Sequence, residues 1–334
     1  MKINRVLLLG LVLVKSVFVA VSQERCVPVG MLCEYLSNPL GIDALHPRLR
    51  WHLDDVRDKA MQKACRVLVS TDSLKLADKN YADCWDTGKR KTETMQFVYN
   101  GKKLLPFTKY FWKVEVWDKD GNKTSSDIAS FETGMLEMHN WRGSWISDGR
   151  DMDYKPAPYF RKEFVVAKPI KKAMAYVCGL GFYEMYFNGE RVGEQVLAPA
   201  VTNYDRRSLK KLLYHYDDQS TQRVFYNVFD VTGNLKMQNN AIGIILGNGW
   251  YNQRDRTVEG HMWYDVPKMI LQLEIEYEDG TKEMIVSDNS WKTTTGPLLH
   301  DAIFTGEIYD ARKDLGHWNR ESYDDNIWES ALQV

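Results

Sequence analysis

Helical periodicity, charge imbalance and metal-ligand spacing are what this sequence has least of. Few segments repeat apolar residues at helical spacing, so the chain offers little from which to build a helical bundle or an α/β layer. Basic and acidic residues nearly cancel, 44 against 45, and no basic run or stripe stands out. No nucleic-acid partner is therefore expected. No Cys or His spacing suggests zinc. The five cysteines are an odd count. Cys26 and Cys33 are close enough in sequence to pair, which an exported chain would permit. The rest lie in strand-like runs such as ACRVLV and YVCGLG, where a buried free thiol is the simpler reading.

The one long apolar run opens the chain. Lys2 and Arg5 precede VLLLGLVLV, and SVFVAVS follows Lys15. A charged start followed by an h-region too short and interrupted to span a bilayer comfortably reads as a signal peptide over 1–22. Ala20 and Ser22 supply small residues for cleavage before Gln23, and QERC lacks the small residues of a lipobox. An uncleaved anchor is the alternative. The mature chain is expected to be exported, periplasmic, cell-surface or secreted, and not membrane-spanning. Its length, about 310 residues, exceeds one ordinary core and implies two domains.

What the chain does have is alternation of apolar and polar residues between turn signals, which predicts an all-β architecture. After a linker over 23–37, the first block runs over 38–136. PRLRWHL and ACRVLVSTD read as strands. In KYFWKVEVWD, Tyr110, Trp112, Val114 and Val116 take one face, and Phe111, Lys113, Glu115 and Trp117 the other. The entry from Leu105 to Tyr110 resembles the corner before strand F of fibronectin type III sandwiches, so a fibronectin-III-like β-sandwich is expected. The second block, 137–334, opens with HNWRGSWISDGR. It contains hairpin signals at Asn188-Gly189 and Asp279-Gly280 and a strand ending in the Gly-rich loop GNGWY. Its strands suffice for a jelly-roll β-sandwich.

Two stretches carry candidate chemistry. GEIYDAR holds Glu307 and Asp310, and a carboxylate pair is what most glycoside hydrolysis needs. Three residues apart on a strand or loop, however, their side chains diverge. Asp310 and Arg312 are expected to pair or to bond backbone at a domain junction; the other reading places Glu307, Asp310 and Arg312 along a cleft. GNGWY offers glycines that let backbone approach a ligand, the amide of Asn248 and the rings of Trp250 and Tyr251. The opposing reading makes Trp250 a core anchor and the glycines mere turn formers.

The ordered run VCGLGFYEMYFNGERVGEQVLAPAVTNYD, YNVFDVTGNL, AIGIILGNGWY and GEIYDAR resembles the N-terminal portion of bacterial α-L-rhamnosidases of glycoside hydrolase family 78. NPLGIDALHPRLRWHL matches how such proteins begin after the signal peptide. The resemblance covers nearly all of the mature chain. It implies that hydrolysis belongs to an (α/α)₆ barrel whose loop acids activate water for an inverting attack. The chain stops at WESALQV and holds no series of amphipathic helices for that barrel, so no catalytic residue is assigned. The implied partners are a rhamnose-containing glycan and a catalytic barrel in cis or in trans.

Jelly rolls of this family can bind rhamnose, in some members through calcium. Here Asn188 and Glu190 follow Phe187, leaving the turn without an acidic ligand at that point. No cofactor or metal is therefore assigned, with calcium the one candidate. Asn188, Asn248, Trp250, Tyr251, Asn203 and Asp205 are the carbohydrate-contact candidates, with Asp265 beside them; His261 and Trp263 fall in an expected loop. Two rival classes remain. One is a glycosidase using Glu307 or Asp310 with a distant acid such as Asp265. The other is an interaction module marked by an exposed apolar patch.

Overall fold

The structure, a computed structural model, describes residues 26–150, 156–202, 204, 224–253 and 264–334. The expected signal peptide, the rest of the chain up to residue 25, Asn203, Asp205, His261 and Trp263 lie outside the described residues. The chain divides into two compact units. One comprises Met1–Asn38, His46–Lys102 and Tyr110–Ser130, and the other Pro39–Leu45, Lys103–Lys109 and Phe131–Val334. The chain thus passes between the units several times. Among the described residues no helix is long and apolar enough to cross a membrane.

In the first unit, Val27–Cys33, Arg48–Asp54 and Gln96–Val98 form a three-stranded sheet. The stretch expected to be a linker therefore contains a strand, paired from Val27↔Asp54 to Cys33↔Leu49. The second sheet is built on Gln62–Ser70 against Lys109–Asp118. Trp51, Leu68, Val67, Trp112 and Val114 are wholly buried in this unit. Burying each such side chain stabilises by roughly 1.5–3 kcal/mol.

One expectation is corrected here. Cys26 and Cys33 are buried free thiols. They flank one extended strand, which at its normal rise holds them about 20 Å apart, far beyond the ~6 Å between Cα atoms that a disulfide spans. Lys113 and Glu115, on the face opposite Trp112, are buried as well. Ion pairing holds Glu115 there: its carboxylate is reached by Lys123 at 2.6 Å and by Arg66 at 3.4 Å. Lys89 and Lys123 cover the neighbouring Trp117 ring at 4.2 and 5.4 Å.

The second unit is a sandwich of two six-stranded sheets. In one, Ile170–Leu180 lies between Asn227–Asp230 and Lys268–Tyr277. In the other, Tyr183–Phe187, Gln238–Leu246, Pro158–Val166 and Lys292–Thr295 run side by side. Val177, Leu271 and Leu273 from the first sheet and Phe160, Phe187, Ile242 and Ile244 from the second share one core with Trp291. The all-β, sandwich-then-sandwich expectation is met. Asn188 and Gly189 turn with φ of 51° and 89°, the two left-handed residues of a type I′ hairpin. At Asp279-Gly280 only Gly280 is left-handed, at 81°, as in a longer hairpin loop.

Arg161, on the Pro158–Val166 strand, is 1% exposed. Its Nε donates to the Trp318 carbonyl and its Nη2 to the Arg320 carbonyl, both at 3.0 Å. It also pairs with Glu163 at 2.5 Å and with Asp325, while the Tyr323 ring lies 5.3 Å away. Removing one member of such a network strands the others. Arg161→Met is expected to lower stability by about 3 kcal/mol, and Lys162→Met, at the half-buried neighbour outside the network, by less than about 0.5 kcal/mol; urea melts of both variants check this.

In the first unit, Arg57 bridges Asp55 at 2.6 Å, Asp118 at 2.8 Å and Asp120 at 3.0 Å. The guanidinium's hydrogen bonds hold Asp55 well below the usual carboxylate range. Burial raises Asp118, but bonds from Arg57 and Asn122 outweigh it and leave it lowered. A depressed folded-state value stabilises above the unfolded value, near 3.9, and loses that contribution as pH falls. Urea midpoints below about pH 4 are expected to fall steeply in the parent and less so in Arg57→Gln.

Candidate functional site

The Gln238–Leu246 strand delivers the loop 247–253 to the end of the second sandwich. Its glycines are required by the chain's own backbone. A Cβ on Gly249 would lie 2.7 Å from the Phe182 nitrogen, and one on Gly181 would lie 2.2 Å from the Gly247 oxygen. The backbone they let approach is therefore that of 181–182.

Asn248 is 3% exposed and faces inward. Its backbone N–H donates to Asp301 Oδ1 at 2.7 Å and its Nδ2 to Asp301 Oδ2 at 2.8 Å. Its Oδ1 accepts from Asn252 Nδ2 at 2.8 Å. Gln253 bridges the Gly249 carbonyl and the Ile303 N–H, the latter at 3.3 Å. Asp301 and Ile303 belong to the hairpin of Leu298–Ala302 and Gly306–Tyr309 and its turn, so these bonds fasten hairpin to loop. Burial pushes the Asp301 carboxyl up, and the two Asn248 donors pull it back only in part. Asn252 Oδ1 is buried without a partner among the described residues.

The aromatic residues divide. Tyr251 is buried, edge-on to Tyr204 at 5.3 Å and tilted against Tyr264 at 5.8 Å. Its ring packs on these two tyrosines. Trp250 is half-buried and meets Phe304 of the hairpin edge-on at 5.5 Å. Around this pair Ile303, Phe304, Ile308 and Tyr309 are exposed. Trp250 and the hairpin thus form an aromatic and apolar rim rooted in polar bonds.

The other candidates lie apart from that rim or are already engaged. Asn188 Nδ2 donates to the Asn234 carbonyl at 2.9 Å and to Asn240 Oδ1 at 2.8 Å, and its Oδ1 accepts from the Ala241 N–H at 2.9 Å. It closes the far end of the strand pair, about 20 Å from the loop by strand rise. At this turn Phe187 is buried and Glu190 exposed. Among the described residues no group of three or more His, Cys, Asp or Glu is placed to hold a metal. Glu307 lies directly across from Asp301, exposed. Asp310 accepts from Arg312 Nε and Nη2 at 2.8 Å and from its backbone N–H at 3.1 Å. Asp310 and Arg312 therefore pair, and Arg312 holds the Asp310 carboxyl below its usual value. Asp265 pairs with Lys268 at 2.7 Å. Sequence reasoning missed Asp301 and Phe304; neither sits in a motif, and both meet the loop only through folding.

A family model described as alpha-L-rhamnosidase N-terminal domain matches residues 168–217 and 215–334. Another, described as Rha78A-like N-terminal immunoglobulin domain, matches 28–137. Immunoglobulin and fibronectin modules share the two-sheet sandwich. A curated alpha-L-rhamnosidase from Formosa agariphila is 34% identical over 89% of this chain and 33% of its own. One from Alteromonas is 31% identical over 90% of this chain and 32% of its own. The chain thus spans about a third of the length of the curated relatives it matches. The solved alpha-L-rhamnosidase from Dictyoglumus thermophilum is 39% identical, with TM-score 0.80 over 92% of this chain and 34% of that one. The Streptomyces avermitilis enzyme complexed with L-rhamnose, at 22% identity and TM-score 0.82, covers 93% of this chain and 45% of its own, and shares the fold.

A carboxylate whose folded value is raised contributes stability below its unfolded value and loses it as pH rises through the folded one. Asp301 is expected to make the parent less stable at pH 7 than near pH 4. Asp301→Asn removes that slope; urea midpoints of parent and variant across this range are the check.

Proposed function

The chain belongs to the alpha-L-rhamnosidase N-terminal domain family, as the N-terminal portion of the glycoside hydrolase family 78 architecture, and on that premise we propose that it is the accessory part of an exported rhamnosidase. It braces a catalytic barrel, in cis or in trans, and offers a rim to rhamnose-bearing glycans.

One observation carries this reading: the hairpin of Leu298–Ala302 and Gly306–Tyr309 exposes apolar side chains while Asp301 roots it on the loop. Exposed apolar side chains on an anchored hairpin suit a protein face. The half-buried Trp250 beside Phe304 suits the C–H face and methyl group of a deoxy sugar. Asp301 and Asn248 spend their polar groups on each other, so their part is to hold the rim still. Recognition then rests on a preformed edge, which saves the ordering cost of binding.

Isothermal titration with methyl α-L-rhamnoside is expected to give millimolar binding, weakened about fivefold in Trp250→Ala. Equal affinity in the variant removes the rim from sugar recognition. An aryl α-L-rhamnoside assay tests the accessory role: turnover that disappears in Glu307→Gln makes this chain a glycosidase in its own right.

A further inference from the structure

Away from the loop, the second unit holds a recess of about 30 Å³ lined by Phe107, Glu132, Lys172, Met174, Tyr176, Glu274 and neighbouring residues. That volume admits one water-sized group. The Tyr176 side chain is wholly buried, and its hydroxyl has no hydrogen-bond partner among the described residues. A buried polar group without a partner is costly and uncommon in folded proteins. Beside the recess lies a groove of about 360 Å³, lined by Pro106, Phe107, Thr108, Glu274, Lys282, Glu283 and Met284. The two share Phe107, Glu274 and Lys282. The groove's size falls within the range of small-molecule sites.

Phe107 is held at φ 54°, a conformation disfavoured for a bulky residue, with its ring edge-on to Tyr176 at 5.2 Å. Its backbone N–H donates to the Gly134 carbonyl at 3.2 Å. Of the charges around the recess, Glu132 is paired with Lys172 at 2.5 Å and Glu276 with Lys171 at 2.6 Å. Burial pushes the Glu274 carboxyl up, with Lys282 and Gln272 opposing it.

We propose that recess and groove form a second binding site for a neutral sugar, seating one hydroxyl against Tyr176 and Glu274 and laying an apolar ring face on Phe107. The lining selects this class. An anion meets Glu132, Glu274, Glu276 and Glu283; a cation meets Lys172 and Lys282. A neutral polyol can use the donors and acceptors of both signs, while Phe107, Pro106 and Met284 take its C–H surface. The site is independent of the rim at Trp250, and the experiment keeps the two apart.

The measurement is isothermal titration of the full chain carrying Trp250→Ala with methyl α-L-rhamnoside, glucose, galactose, galacturonate and calcium chloride. Millimolar binding of at least one neutral sugar is expected, weakened about fivefold when Tyr176→Phe is added. No binding of any neutral sugar overturns the proposal, and so does equal affinity with and without the hydroxyl. A higher melting temperature in Tyr176→Phe, with affinity unmoved, identifies the hydroxyl as a structural orphan. Tighter binding of galacturonate or calcium overturns the choice of ligand class. If the parent binds and Trp250→Ala abolishes all binding, the rim stands and this groove does not.

Discussion

A buried guanidinium governs where the site comes to lie. The chain leaves the second sheet after Lys292–Thr295 and rejoins it at Glu329–Ser330, next to that same strand. Everything between, including the hairpin with Asp301, Phe304 and Glu307, is an excursion. Arg161 fixes its returning limb by gripping two carbonyls and Asp325. The outgoing limb is fixed by the Asn248–Asp301 bonds. Both limbs of the projecting hairpin are thus tied to the sandwich, even though exposed apolar side chains crowd it. The ionic cost of burying Arg161 is met by geometry, since each donor named finds an oxygen of the excursion or of the adjacent Glu163.

That arrangement explains why a loop with a sugar-binding composition turned inward. Gly, Asn, Trp and Tyr serve equally well for ligand contact and for tight packing of backbone on backbone. What separates the uses is whether the polar groups already have partners. In 247–253 the amide of Asn248 is committed to Asp301 and Asn252. Of the loop's side chains, that of the half-buried Trp250 keeps a share of its surface for a partner.

Most of the fold was legible because alternation is a local property. The strands around Trp112 and Phe160 announce themselves by period two, the strand around Ile242 by its apolar run, and Asn188-Gly189 announces its turn by the conformations those residues tolerate. Long-range pairing is what the sequence could not display. Val27–Cys33 looked like a linker because its partner lies about twenty residues on. The cation that covers Glu115 and Trp117 arrives from another strand, which alternation alone does not announce. Asn248 and Asp301 are 53 residues apart, and no spacing rule links them. The Asp310–Arg312 pair, two residues apart, could be read correctly for the opposite reason.

The free cysteines supply a built-in clock for opening. Burial pushes Cys26, Cys65 and Cys84 up to about 11, and Cys33 and Cys178 to about 12. At pH 8 a thiol at 11 is ionised in roughly one molecule per thousand, so a soluble alkylating reagent reacts chiefly when a strand transiently lets go. The buried Cys26, Cys33 and Cys65 time the first unit, and the buried Cys178 times the second. The same buried sulfur atoms that contribute nothing as cross-links thus record, one unit at a time, how often each sandwich breathes.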